Sequence, residues 1–91
     1  MTNYPQLAGQ VVVGTGVASG IGLAQACAFL AQGVTFFGTD LVENAELIAL
    51  KQAYPASFYF YPCDVRKSSD IKQLVAFILA HTTQVDILLN T

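Results

Sequence analysis

The sequence predicts an α/β fold with one parallel sheet in the order βαβαβαβ. Three observations carry this. Short β-branched or aromatic runs alternate with helix-like stretches along the whole chain. The apolar runs are continuous rather than alternating, which suits strands covered on both faces. The strands are separated by segments long enough for helical crossovers, and such connections build a parallel sheet. The expected strand order is 3-2-1-4, with the first and fourth strands on either side of the switch point.

The elements follow in order. Val11-Val12-Val13 is the first strand and leads directly into the glycine-rich stretch 14–22. Ser19 is placed to cap a helix running to about Gln32, and Gly33 stands where a left-handed C-terminal cap belongs. Val34 to Thr39 reads as the second strand. A helix from about Glu43 to Tyr54 presents Leu47, Leu50 and Tyr54 on one face, and Pro55 ends it. Ser57 to Tyr61 is a third, aromatic strand. Ser68 or Ser69 is expected to cap the next helix, whose apolar stripe is Ile71, Leu74, Val75, Ile78 and Leu79. Val85 to Asn90 closes the series as the fourth strand.

Composition narrows the function classes. The chain has 91 residues, enough for one small domain. Hydrophobic residues make up 54% and charged residues 11%, which suggests a chain covered on most sides by a larger body or an oligomer. Lys51, Arg66, Lys67 and Lys72 are the only cations, so no basic surface is available to neutralise nucleic-acid phosphates. Cys27 and Cys63 lie far apart with no metal-ligand spacing. They are expected to be reduced, buried, small apolar residues, and no metal site is expected. The polar stretch Met1 to Gln10 carries no targeting pattern, and the longest apolar run, Leu74 to Ala80, is too short to span a bilayer. A soluble, cytoplasmic protein is expected, with no membrane or nucleic-acid partner.

The informative stretch is Gly14-Thr15-Gly16-Val17-Ala18-Ser19-Gly20-Ile21-Gly22. It follows a strand and opens a helix, the context in which a glycine pattern binds phosphate. Gly16 allows a sharp turn off the strand, Gly20 permits close backbone approach, and Gly22 lets the helix pack near the sheet. The helix N-terminus offers free N–H groups and the positive end of its dipole to a diphosphate. The GxGxxG spacing does not fit, because Ser19 stands where the third glycine belongs. A Walker A loop fails because no Gly-Lys-Ser/Thr follows. Asp40 comes directly after the second strand, 18 residues beyond Gly22. A carboxylate there accepts hydrogen bonds from both ribose hydroxyls and repels a 2′-phosphate. No Lys or Arg is near it in sequence, which favours NAD over NADP.

Thr15-Gly16-x-x-x-Gly20-Ile21-Gly22 resembles the TGxxxGIG signature of the short-chain dehydrogenase/reductase family. The resemblance runs from about Leu7 to Asn90 and implies a Rossmann-type fold. It implies that residues 1–91 form the N-terminal dinucleotide-binding part of a single Rossmann domain, truncated after the fourth strand. The cofactor-binding residues it implies are Thr15, Gly16, Ser19, Gly20, Ile21, Gly22, Asp40, Leu41, Asp64, Val65 and Asn90. Asp64-Val65 would sit beside the adenine, and Asn90 near the cofactor ribose, with Thr91 replacing the family's second Asn. Gly14 departs from the family's bulky apolar residue and is expected to weaken the strand end.

Family members transfer hydride between a nicotinamide and a carbonyl or alcohol, with a Tyr-x-x-x-Lys pair and a Ser at the reacting centre. No tyrosine here has a lysine four residues later: Tyr4, Tyr54, Tyr59 and Tyr61 precede Ala8, Phe58, Cys63 and Val65 at that spacing. No catalytic residue is therefore assigned. Within the family the chain resembles bacterial 3-oxoacyl-(acyl-carrier-protein) reductases, though this half of the fold does not select substrate. The alternatives are a nucleotide-binding module without catalysis, or a truncated remnant without activity. Two further expectations complete the reading. His81, near a helix C-terminus, is structural. The bare fourth strand is a place for association.

Overall fold

The structure, a computed structural model, describes residues 7–90. The polar start through residue 6 and Thr91, both read above, lie outside the described residues. Seven elements alternate: β1 (Val11–Thr15), α1 (Gly20–Leu30), β2 (Thr35–Asp40), α2 (Ala45–Ala53), β3 (Phe58–Pro62), α3 (Ser68–Leu79) and β4 (Ile87–Leu89). The four strands form one parallel sheet in the order β3-β2-β1-β4, as the alternation of patterns predicts.

Side chains point alternately to the two faces of a strand, so register decides what each helix covers. Phe58, Phe36, Val12 and Ile87 stand in one row across the sheet. The first three are fully buried with Ala26 and Leu30 of α1 and Leu47 and Leu50 of α2. Burying a phenylalanine of this kind stabilises by roughly 2–3 kcal/mol. The opposite face carries Val11, Val13 and Phe37, packed with Cys63 under Leu74 and Ile78 of α3. A ring cluster of Tyr59, Phe77 and His81 extends that layer, with Tyr59 and Phe77 edge-on and His81 tilted against both.

The sheet explains Gly14. A Cβ there would lie 2.6 Å from the Phe36 ring, far inside van der Waals contact. The missing side chain is the space Phe36 fills, and β1 continues through Gly14 to Thr15 rather than fraying.

Several expectations need correction. The hydroxyl of Ser19 stands at the N-cap position of α1 but makes no capping hydrogen bond. Neither Ser68 nor Ser69 caps α3: both lie inside it and Lys67 holds the cap position. Of the α3 stripe only Leu74 and Ile78 are buried, while Ile71, Val75 and Leu79 are exposed, because one helix alone covers that face. Cys27 is exposed on α1, and only Cys63 is buried. β4 is three residues long instead of six. Its start is fixed by Asp86, whose carboxylate accepts from the Val11 N–H while its own N–H donates to the Val11 carbonyl. The bond from the Val11 N–H, with a second from Gln84, holds the Asp86 carboxyl below the usual carboxylate range. His81 sits just past α3 with its Nδ1 2.9 Å from the Phe77 carbonyl, the structural place expected for it.

Candidate functional site

In a parallel sheet the strand ends and the following helix heads gather at one rim. Here that rim holds the glycine loop, the end of β2 and the end of β3. Gly16 and Gly20 both have positive φ, 65° and 60°, so the loop turns twice through conformations closed to ordinary side chains. Nothing lies within 4 Å of where a Gly20 Cβ would be, so the backbone is bare to solvent there. Gly22 is buried within α1.

The first turn of a helix leaves its N–H groups without intrahelical partners. At α1 the side chain of Ser19 does not take one of them, and no acidic residue stands in the first turn. The head of α1 therefore keeps both its donors and its partial positive charge open to an anion. Ile21 beside it is 72% exposed, an apolar surface facing water.

A cleft of about 230 Å³ lies next to this head, lined by Thr15, Gly16, Thr39, Asp40, Leu41, Cys63, Asp64, Val65 and Arg66. Small-molecule sites usually enclose about 300–1,000 Å³. The cleft alone is smaller than this range, and it opens beside the α1 head. Leu41 and Val65 give it apolar walls and are more than half exposed.

Polar groups organise the rim. One oxygen of the Asp40 carboxylate accepts from the Ala18 N–H at 2.9 Å, and the other from the Leu41 N–H at 2.8 Å. Each carboxylate oxygen keeps a further lone pair to accept from another donor. Asp64 is held by Arg66 through two parallel contacts of 3.0 Å. The Arg66 guanidinium and backbone N–H bring the Asp64 carboxyl down to about 2. Its backbone N–H donates to Asp70 of α3, which fixes the turn after β3. Burial pushes the Cys63 thiol up, so it stays protonated in the cleft floor. Thr39 is buried and donates to the Tyr61 carbonyl. At the end of β1, Thr15 Oγ1 lies 3.2 Å from Asn90 Oδ1, joining the β1 and β4 ends.

Of the residues singled out in the sequence, Thr15, Gly16, Asp40, Leu41, Asp64 and Val65 share the cleft. Ser19, Gly20 and Ile21 are exposed at the α1 head. Gly22 is in its first turn, and Asn90 meets Thr15. Thr39, Cys63 and Arg66 were missed as cleft residues. They neighbour Asp40 and Asp64 in sequence, so the adjacency was the available signal. Arg66, distant from Asp40 in sequence, lines the same cleft. Among the described residues no cluster of His, Cys, Asp or Glu is placed to hold a metal. No described helix is long and apolar enough to cross a membrane.

The profile of the family described as short chain dehydrogenase matches residues 10–91. The chain belongs to the short-chain dehydrogenase family. It is 38% identical over 89 residues to the 3beta-hydroxysteroid dehydrogenase 2 of Eggerthella lenta, covering 94% of this chain and 34% of that one. It is 32% identical over 88 residues to the D-threitol dehydrogenase of Mycolicibacterium smegmatis, with the same coverage. Among solved structures, a short-chain dehydrogenase from Streptomyces avermitilis superposes with TM-score 0.81 at 34% identity, over 89% of this chain and 30% of the other. The 3-ketoacyl-(acyl-carrier-protein) reductase of Brucella melitensis, complexed with NADH, superposes with TM-score 0.79 at 27% identity, over 90% and 34%. The chain spans about a third of the length of the relatives it matches.

Proposed function

We propose that the chain is the NAD-holding part of a short-chain oxidoreductase that moves hydride between a nicotinamide and a carbonyl or alcohol. The observation that carries this is the open head of α1 beside a cleft that ends on a carboxylate. The first-turn amides of α1 are free of a capping side chain, and the backbone at Gly20 is bare, which suits a diphosphate. Leu41 and Val65 suit the faces of an adenine, and Asp40 suits its ribose. Bound there, NAD supplies the hydride acceptor. The residues of this chain bind and orient it, and the proton step needs groups beyond them.

NAD over NADP is supported by charge. Asp40 repels a 2′-phosphate, and Arg66, the one cation among the described residues that line the cleft, is engaged by Asp64. A substrate like that of the 3-oxoacyl-(acyl-carrier-protein) reductases is the preferred class, on the likeness to the Brucella enzyme. The outer edge of β4 pairs with no further described strand and Leu88 is 69% exposed, which supports association through that edge.

Calorimetric titration with NAD and NADP tests the reading. NAD should bind more tightly by about tenfold or more, a difference of about 1.4 kcal/mol. Asp40→Asn keeps an oxygen for the Ala18 N–H but removes the charge, so it should erase most of that preference. Equal affinities in the unmodified chain would remove the NAD assignment. No binding of either would remove the site.

A further inference from the structure

Asn44 stands outside the cleft and outside every residue assigned to the cofactor. Its side chain nevertheless joins the two helix heads. Oδ1 accepts from the Leu47 N–H at 3.0 Å, capping α2. Nδ2 donates to the Ala18 carbonyl at 2.7 Å, across 26 residues of sequence. Ala18 is therefore gripped from both sides: Asp40 takes its N–H and Asn44 takes its carbonyl. The Val17 N–H adds a third tie, to the Thr39 carbonyl at 3.3 Å.

We propose that Asn44 is a positioning residue that aims the Ser19 N–H toward the phosphate seat. The argument is geometric. The Ala18 carbonyl and the Ser19 N–H belong to one peptide unit. That unit is planar and trans, so its C=O and N–H point in opposite directions. Fixing the carbonyl on Asn44 fixes the Ser19 N–H facing away from α2. A glycine lies on each side of this segment, Gly16 and Gly20, both at positive φ, so the loop has soft points that need an external tether. Pre-orienting a donor removes part of the ordering cost from binding. This inference rests on the diphosphate reading of the α1 head.

The two jobs of Asn44 separate by substitution. Ser and Asp cap helices as well as Asn does. Neither provides the donor: Ser is too short to span to Ala18, and the Asp carboxylate only accepts. Asn44→Ser and Asn44→Asp should therefore keep the melting temperature near that of the unmodified chain while weakening NAD by about three- to tenfold, the effect of one neutral hydrogen bond. Asn44→Ser is the neutral control for charge repulsion of the phosphates. Asn44→Ala should lose both binding and stability.

Amide hydrogen exchange without nucleotide gives a second readout. The Ala18 N–H should exchange faster in all three variants. The Leu47 N–H should exchange faster only in Asn44→Ala. If Asn44→Ser binds NAD as tightly as the unmodified chain and protects Ala18 equally, Asn44 is only a cap and the proposal falls. If the unmodified chain binds no nucleotide, the functional reading fails by itself, and Ala18 exchange still decides whether the tether exists.

Discussion

The heads of α1 and α2 meet at the same rim of the sheet, and they are finished in opposite ways. At α2, Asn44 accepts from the Leu47 N–H, and Glu46 in the first turn adds a complementary charge. That end is closed on itself. At α1, the cap position is filled by a serine that makes no capping bond, and the first turn has no acid. That end is held from outside, through Ala18 by Asp40 and Asn44, while its own donors stay open. The head of α3 is a third variant: it too lacks a side-chain cap, but Asp70 in its first turn brings a negative charge to that end and accepts from the Asp64 N–H. A helix head built for its own stability spends its amides on a side chain. One built for a ligand leaves them unspent and stabilises its loop by neighbours.

The comparison breaks most sharply at Gly20. Replacing it with Val puts a β-branched residue at φ 60° and a side chain over the bare backbone. NAD affinity should fall by at least about a hundredfold, near 3 kcal/mol, measured by calorimetry. Unchanged affinity would mean the phosphates do not sit there. Gly14→Val tests the packing beneath the loop. With Phe36 only 2.6 Å from the new Cβ, unfolding free energy should drop by about 1–3 kcal/mol in denaturant titration.

A smaller contrast compares the caps directly. Asn44→Ala should cost about 1 kcal/mol of stability. Ser19→Ala should stay within about 0.5 kcal/mol, because no capping bond is lost. Equal losses would erase the distinction between the two heads.

The smallest effect is in the pH dependence. Asp64 has a folded-state pKa of about 2, below its ordinary value of 3.8. Its contribution is complete above the ordinary value and disappears as pH falls from about 4 through about 2. In Arg66→Ala, NMR titration should return the Asp64 carboxyl toward 3.8, because the guanidinium is the main cause of the shift.

Much of this was legible in the sequence for physical reasons. Continuous apolar runs such as Val11 to Val13 are readable because strands buried on both faces leave no polar positions. The glycines at 16 and 20 are readable because their positive φ favours glycine at those positions. What escaped depends on contacts between distant segments. The helix expected from about Glu43 starts instead after Asn44, which caps it, and the second bond of Asn44 reaches back to Ala18, which no local pattern encodes. Arg66 is far from Asp40 along the chain, and only the β2–β3 pairing brings both to one cleft. The α3 stripe misled because periodicity gives a face, while burial depends on how much is packed against it.

The most direct test of the open α1 head is an amide-resolved NMR titration of the ¹⁵N-labelled chain with NAD. The account predicts the largest shifts at Ser19 to Gly22, then at Asp40, Leu41, Asp64 and Val65, with the α3 head at Ser68 to Asp70 unmoved. Saturable shifts concentrated on α3 or the β4 edge, with the amides of Ser19 to Gly22 unmoved, would contradict it.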